Sequence, residues 1–263
     1  MDKLKNKKHQ SHNALSNFKK DIEPLECKRC GTCCKKGGPC FHIEDKMLIE
    51  KGIILIKDLY TIREGELAYD NIKECLIPVT SDLIKIKGQS DSWECIFFDG
   101  NDNSCKIYDK RPVECRVLKC WDTREIEQIY FKNRLARKDL VSIIEGLWDL
   151  IEDHQSRCSY DKIKHFVKEL DGEKKNEAIE GIYDILIYDD SIRELVVKKG
   201  KMDPENLDFL FGRPIVATIR MFGLKVKKKD GKYVTTQVHG SRVHGSRLES
   251  DPPASQAESI AGR

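Results

Sequence analysis

The placement of the cysteines constrains this chain more than any other feature. All 11 cysteines of the 263 residues lie between Cys27 and Cys158, and ten of them fall within residues 27–120. Such a density is typical of disulfide-stapled secreted domains. Three observations argue against disulfides here: the odd count, a basic N-terminus without the apolar stretch of a secretory signal, and the reducing conditions that keep cytosolic thiols free. No apolar run is long enough to cross a membrane. We therefore expect a cytoplasmic protein whose reduced thiols bind metal.

Composition and charge narrow the possible partners. Charged residues make up 35% of the chain and apolar residues 39%, against typical values of about 25% and about 45–50%. The chain is therefore hydrophilic, but it has enough apolar residues to form a buried core. The net charge of +3 is too small to require a nucleic-acid partner, so we expect no binding to nucleic acid and none to membranes, while a protein partner or substrate stays open.

The first group of cysteines is the run Cys27-x-x-Cys30-x-x-Cys33-Cys34. Two thiols separated by two residues can converge on one metal ion, with each sulfur about 2.3 Å from it. Three thiols at this spacing match the first three ligands of a ferredoxin-type run, whose fourth cysteine and proline are missing here. Because neighbouring side chains diverge, we expect Cys33 and Cys34 to serve two different metal atoms, or only one of them to be a ligand.

The second group consists of Cys95, Cys105, Cys115 and Cys120. Cys95 lies in an apolar, strand-like run at residues 93–98, Cys105 follows a turn at residues 99–103, and Pro112 is expected to start a short helix that carries Cys115. Together the two groups supply eight thiols, enough for two four-coordinate sites or one multinuclear site. Thiolates around a metal leave negative charge, and the nearby lysines and arginines, Arg111 and Arg116 among them, would offset it.

The remaining candidate ligands are ambiguous. Cys40 is either a further ligand or a small residue in a turn, whereas Cys75 and Cys158 are expected to be buried apolar residues. A lone histidine such as His42 is more often structural than a ligand. We also expect the aromatic residues near the thiols to form hydrophobic surroundings and core; these are Trp93, Tyr108 and Trp121.

The two groups of cysteines resemble a known family. The run at residues 27–34, then Cys95, then Cys105-x-Ile107-Tyr108-x-x-Arg111-Pro112-x-x-Cys115-Arg116, is similar to the CxxCxxCC family, also called YkgJ-like, whose members are held to chelate zinc or iron. The resemblance covers about residues 25–121 and implies metal binding by the eight thiols, without an assigned reaction. Cys40 is not part of this pattern. Flagellin lysine methylases share the cysteine motif and are thought to carry an iron–sulfur cluster, but they are longer.

The hydrophobic pattern predicts an α+β fold that is mostly α. We expect a flexible basic arm at residues 1–20, a loop-rich cysteine and metal-cluster domain at 21–121, a helical region with a terminal β-hairpin at 122–236, and a disordered or added tail at 237–263, where the pentapeptide VHGSR occurs twice. Apolar spacing and capping residues predict helices in the following stretches: 44–51, from Asp122, 140–151, 160–170, one or two within 173–199, from Pro204, and 214–221. Asp230-Gly231 predicts the hairpin turn.

Three classes of function remain open. The leading hypothesis is a protein that binds an iron–sulfur cluster, of the 4Fe-4S type, or iron, and its closest rival is a structural zinc protein, since thiolates suit both metals. The second class is an iron–sulfur-dependent protein-modifying enzyme, such as a lysine N-methylase-like methyltransferase. The third, which the small net charge disfavours, is a nucleic-acid binder, suggested by the basic arm and by the lysines of the final hairpin: Lys225, Lys227, Lys228, Lys229 and Lys232. No nucleotide-binding loop, zinc-protease motif or serine-hydrolase arrangement is legible, so no catalytic residue is assigned.

Overall fold

The computed structural model describes residues 27–90, 92–142, 144–229 and 231–237. The basic arm predicted at residues 1–20 and the tail after residue 237 lie outside these residues. The fold is mostly helical, with small antiparallel strand pairs and a terminal hairpin, as predicted. The domain boundaries assigned above stay predictions.

The cysteine-rich part contains short elements joined by turns. Its helices are α1 (Thr32–Lys35), α2 (Lys46–Glu50), which Gly52 follows as expected, and α3 (Val113–Val117). Its strands form three antiparallel pairs: β1 (Leu59–Ile62) with β4 (Leu83–Ile86), β2 (Leu67–Asp70) with β3 (Cys75–Pro78), and β5 (Phe98–Asp99) with β6 (Ser104–Cys105). Single 3-10 turns lie at Ile43–Asp45, Ile56–Asp58 and Tyr108–Lys110.

The rest of the chain is helical up to the final hairpin. The helices are α4 (Arg124–Ile129), α5 (Arg137–Val141), α6 (Leu147–Arg157), α7 (Tyr160–Glu169), α8 (Lys175–Lys198), α9 (Leu207–Phe211) and α10 (Ile215–Thr218). The hairpin pairs β7 (Leu224–Lys229) with β8 (Lys232–Gln237) around the predicted turn. Further 3-10 turns lie at Pro204–Asn206 and Ile219–Phe222.

Several helix boundaries follow from capping residues read in the sequence. The Ser159 hydroxyl accepts a hydrogen bond from the Asp161 amide at the start of α7, and the Asp203 carboxylate accepts one from the Glu205 amide at the turn that Pro204 opens. Each bond satisfies an amide that has no partner inside its helix. Residues 173–199 form one helix, α8, rather than two.

Two of the predicted elements are corrected by the structure. The apolar stripe at residues 140–151 is divided between α5 and α6, because Gly146 has a left-handed backbone with a φ of 72° that ends the helical path. Residues 93–97 do not form a strand, and only Phe98 of this run belongs to β5. The preceding backbone bonds singly to other segments, as when the Cys95 amide donates to the Cys34 carbonyl over 2.9 Å.

The pairing of β1 with β4 was not predicted, although side chains in both strands alternate between the core and the opposite face of the pair. Leu59 and Thr61 face the core from β1, and Ile84 and Ile86 face it from β4; all four are at most 1% exposed. The opposite face of the pair carries Tyr60 and Lys85, which lie directly across from each other. Alternation over only four residues in each strand is too short a signal to separate from other turn-rich segments.

Two hydrophobic cores support the fold. The first combines side chains of the strand pair β1–β4 with Leu135, Val141 and Ile151 and with the buried face of α9. The second lies between α7, α8 and the hairpin, and includes Ile163 and Ile182. The first core therefore anchors the cysteine-rich loops on the helical region.

A buried carboxylate links the cysteine-rich part of the chain to the helical region. Glu66, in the turn between β1 and β2, is fully buried and accepts hydrogen bonds from the Tyr160 hydroxyl at 3.1 Å and from Arg213 Nε at 3.1 Å. The Arg63 amide donates to the same carboxylate at 3.2 Å. A buried charge that is paired in this way fixes the relative position of its neighbours, because losing one partner would leave it uncompensated.

The contact between α7 and α8 depends on a glycine. A Cβ added at Gly181 would lie 2.4 Å from the ring of Phe166. We predict that Gly181→Ala lowers the free energy of unfolding by about 1–3 kcal/mol, because overpacking outweighs the gain in helix propensity. Gly172→Ala is the control, since its added Cβ would meet the nearest atom at 3.5 Å. Urea denaturation measures both variants, and equal losses would contradict the packing argument.

The buried pair of His154 and Asp189 makes the stability depend on pH. Burial, opposed by the bond to Asp189, lowers the pKa of His154 to about 4; the pKa is about 6.5 in an unfolded chain. Between these values the unfolded chain binds a proton that the folded protein does not bind. The free energy of unfolding therefore falls as the pH drops through this window, by at most about 3 kcal/mol.

Urea denaturation at about pH 7 and about pH 4.5 measures this fall. His154→Gln is expected to flatten the pH dependence, whereas the same change at the exposed His165 is the control and should leave it unaltered. An unchanged slope in His154→Gln would show that other groups cause the fall.

Candidate metal centre

The first cysteine run forms two tight turns that present their sulfurs to amide groups. The Arg29 amide donates to Cys27 Sγ at 3.4 Å, and Cys30 Sγ lies 3.2 Å from the Thr32 hydroxyl. Arg29 and Gly31 have left-handed backbones, with φ angles of 51° and 74°. Amide donors aimed at sulfur stabilise a thiolate, the form in which cysteine binds metal.

The second group meets the first through close backbone contacts. A Cβ at Gly31 would lie 2.5 Å from the Phe98 ring, so only glycine lets the first run approach β5 this closely. In the β5–β6 pair, Phe98 lies across from Cys105. The hydrogen bond from the Cys95 amide to the Cys34 carbonyl joins the same two segments at a second point. Cysteines 61 to 71 positions apart in sequence are thereby brought to one place.

Six of the eight predicted ligands are linked electrostatically, and for Cys30 this link is to Cys33 alone. Burial is the main cause that raises the pKa of Cys95 to about 11, with a further contribution from Cys105 and Cys33. Burial likewise raises the pKa of Cys115, helped by Cys95 and Cys33. The structure therefore places Cys33, Cys34, Cys95, Cys105 and Cys115 in one neighbourhood.

The adjacent pair at the end of the run differs from expectation. Cys33 Sγ and Cys34 Sγ lie 4.0 Å apart, so the two side chains do not diverge. The hydrogen bond between them lowers the pKa of Cys33 and raises that of Cys34, because one proton is shared by the two sulfurs.

Exposure divides the eight thiols into two groups of four. The inner sulfurs belong to one buried and three partly buried residues: Cys95, Cys34, Cys105 and Cys115. The outer sulfurs belong to exposed residues: Cys27, Cys30, Cys33 and Cys120. The hydrogen bond to Thr32 is the main cause that lowers the pKa of Cys30, and the charge of Cys33 opposes it. Within the described residues, no hydrogen bond joins Cys27 or Cys120 to the inner group.

The sulfurs are spread more widely than a single ion requires. Within the described residues, no three of the cysteine sulfurs lie within 4.8 Å of one another. Four sulfurs around one tetrahedral zinc would each be about 3.8 Å from the others, given zinc–sulfur bonds of about 2.3 Å. The arrangement can hold metal, since it offers soft thiolate donors, and its width suits a centre with more than one metal atom.

Two buried carboxylates position the elements that carry the thiols. Asp45 is fully buried and accepts hydrogen bonds from the amides of His42 at 3.0 Å and Val113 at 2.8 Å. Glu114, next to Cys115, accepts a bond from the Cys40 amide at 2.7 Å. The bond from Val113 to Asp45 and the bond from Cys40 to Glu114 join the segment after the first cysteine run to the start of α3.

His42 and Cys40 belong to this scaffold. His42 Nδ1 lies 2.8 Å from the Lys132 carbonyl, which can only accept, so Nδ1 carries the proton. Its Nε2 then accepts from Arg134, which also pairs with Glu114. This agrees with the structural role expected of His42. Cys40 is 8% exposed, and its sulfur lies 3.7 Å from Lys85 Nζ rather than with the inner sulfurs.

The expected roles of the other residues near the thiols are partly confirmed. Cys158 is buried, whereas Cys75 is only partly so. Tyr108 does not belong to an apolar core: its ring is stacked between the guanidinium groups of Arg29, at 4.3 Å, and Arg111, at 3.6 Å.

Trp93 is 37% exposed, so it does not form part of a core either. Arg111, in contrast, acts as expected, since its charge helps to lower the pKa of Cys33.

Another set of possible metal ligands lies in the helical region, but its polar atoms already form hydrogen bonds within the protein. His154 Nε2, Cys158 Sγ and a carboxylate oxygen of Asp189 lie within 4.8 Å of one another. The Asp189 carboxylate accepts from Arg193 at 2.9 Å and from the Ile215 amide at 2.8 Å, as well as bonding to His154. This group is therefore a hydrogen-bonded part of the core, and its neighbouring arginine opposes a further cation.

Comparison with known proteins identifies the cysteine-rich part. Residues 26–135 match the model of the CxxCxxCC family, described as "Putative zinc- or iron-chelating domain". The match covers less than half of the chain but includes all eight predicted ligands. This stretch is therefore similar to that family, which confirms the resemblance seen in the sequence.

No curated protein and no solved structure was found to match the chain. In the described residues, no helix has both the length and the apolar content that a bilayer span requires.

Sequence reasoning missed the two scaffold carboxylates. A local signal existed for Asp45, which follows His42 at the spacing of a capping residue and precedes an apolar helix. Glu114 gave no comparable signal, because its partners lie up to 74 positions away along the chain.

The Asp45 carboxylate offers a direct test of the scaffold. We predict that Asp45→Asn lowers the free energy of unfolding by about 1–3 kcal/mol, because the amide keeps one acceptor and turns a donor toward a buried N–H group. Asp58→Asn is the matched control: Asp58 accepts from the Leu55 amide at 2.9 Å in a similar 3-10 turn, but that turn is exposed. Thermal unfolding measures both variants, and a larger loss in the control would contradict the assignment.

Proposed function

We propose that the protein binds an iron–sulfur cluster through the cysteines of its chelating domain. The ligands are drawn from Cys27, Cys30, Cys33, Cys34, Cys95, Cys105, Cys115 and Cys120. The inner four sulfurs hold the cluster, and Cys33, which shares a proton with Cys34, connects the inner group to the outer one.

The width of the thiol group carries this proposal. Thiols from α1, α3, β6 and the segment before β5 influence one another, yet no three of the described sulfurs are close enough to surround one small ion. A cluster distributes its cysteine ligands over separate iron atoms and so accepts a wider arrangement.

The chain's own residues provide what such a centre needs. Amide and hydroxyl groups of Arg29 and Thr32 face the outer sulfurs, and Arg111 offers positive charge near Cys33. When bound, an iron–sulfur cluster supplies one-electron redox chemistry, whose potential depends on hydrogen bonds and charges of this kind. Because free thiols at this density oxidise, we place the protein in a reducing compartment.

A second candidate is supported by the division of the thiols into two groups. Four partly buried and four exposed cysteines match the ligand count of two zinc ions, each bound by four thiolates. In that case the centre cross-links the loops and carries out no redox chemistry.

Anaerobic purification followed by absorption spectroscopy and elemental analysis separates these candidates. We expect a coloured protein with iron and acid-labile sulfide in comparable amounts. A colourless protein that contains stoichiometric zinc would overturn the iron–sulfur proposal and support the second candidate.

Cysteine variants test which thiols take part. Serine at Cys34, Cys95 or Cys115 is expected to reduce the bound metal by at least about tenfold, because an inner ligand is lost. Cys75→Ser is the control, since Cys75 is a partly buried cysteine in β3, outside the proposed set. Metal content per protein measures the effect. Full retention of metal in the inner variants, or an equal loss in the control, would contradict the assignment.

A further inference from the structure

The segments that carry the thiols are rich in exposed cations. The two segments that carry most of the thiols, residues 27–36 and 105–116, hold eight basic side chains, which we call the basic rim: Lys28, Arg29, Lys35, Lys36, Lys106, Lys110, Arg111 and Arg116. Seven of them are exposed, and Arg111 is partly buried.

These cations do not form ion pairs within the described residues. No carboxylate there lies within 4.0 Å of a charged nitrogen of the rim, whereas lysines and arginines of the helical region pair repeatedly, as in Arg157–Asp153 and Lys228–Asp190. The same two segments contain only two acidic residues, Asp109 and Glu114, and Glu114 is already paired with Arg134.

The three-dimensional structure joins the two segments into one surface. Arg29 from the first segment and Arg111 from the second lie over the same ring, Tyr108. Trp93, 37% exposed, borders the first segment at Gly37, where an added Cβ would lie 3.5 Å from the Trp93 carbonyl oxygen. Exposed tryptophan, tyrosine and arginine are the side chains that contribute most to protein–protein interfaces.

A bound metal centre would not neutralise this surface. A 4Fe-4S core with four thiolates carries a charge of about −2, and two zinc ions with eight thiolates carry about −4. The rim therefore keeps a positive excess in either case, and this excess faces solvent.

We propose that the basic rim is the docking surface for an acidic protein that exchanges electrons or metal with the thiol centre. The exchange rests on the function proposed above, whereas the docking itself requires only the polypeptide. An acidic protein fits better than a nucleic acid, because the cations lie on the same segments as exposed thiols and next to aromatic side chains. A phosphate backbone could also receive neither metal nor electrons. Complementary charge around such a site speeds encounter and selects the partner.

A matched pair of charge-reversal variants tests the docking surface. The rim variant replaces Lys28, Lys36, Lys106 and Lys110 by glutamate. The control variant makes the same change at four exposed lysines of the helical region and hairpin, namely Lys168, Lys174, Lys199 and Lys227. Both variants alter the net charge equally, and none of the replaced lysines forms an ion pair with another described residue.

The probe is a poly-glutamate peptide, and its binding to the full-length protein is measured by fluorescence anisotropy at low and high salt. We expect binding that weakens with salt, a loss of at least about tenfold in the rim variant, and a loss below about threefold in the control. Carbodiimide cross-linking followed by mass spectrometry should join the peptide to rim lysines.

Two results would overturn the proposal. Equal losses in the two variants would show that net charge alone attracts the peptide. Tighter binding of a DNA duplex than of the acidic peptide would assign the surface to nucleic acid. Metal content is measured separately on the same preparations, so an absence of iron would defeat the iron–sulfur assignment while leaving the docking result intact.

Discussion

The thiol site depends on two buried carboxylates that join its halves. Asp45 caps both the turn after the first cysteine run and the start of α3, and Glu114 bonds to the backbone of Cys40 from within α3. A buried carboxylate that lost these donors would be left without compensation, so each bond strongly favours one arrangement. The protein scaffold thereby brings distant cysteines together through its own hydrogen bonds.

This scaffold keeps the inner thiols protonated until metal binds. Burial raises the pKa of Cys95 and Cys115, so both are protonated in the metal-free protein. Metal binding must displace these protons, and the positive charge of the metal then replaces them in stabilising the sulfur. The same centre is open on its outer side, where Cys27 and Cys30 are exposed. Partial burial thus leaves the outer thiols exposed while the inner thiols are shielded from solvent.

The sequence predicted elements whose signals are local. Ser159, Asp203-Pro204 and the Asp230-Gly231 turn are read from neighbouring residues, and helices and the hairpin begin or turn where they indicate. The β1–β4 pair was missed, because it joins strands that are separated by a second hairpin. For the site, cysteine spacing selects eight thiols, whose role as metal ligands stays a prediction. Their division into inner and outer groups could not be predicted, since burial depends on contacts between distant segments.

The central claim is that thiols from both cysteine groups converge on one metal centre. X-ray absorption spectroscopy at the edge of the bound metal tests this most directly, because it reports the identity of neighbouring atoms and their distances. The account predicts a coordination sphere made of sulfur, at about 2.3 Å, with a second metal atom nearby. Coordination dominated by oxygen or nitrogen would contradict it.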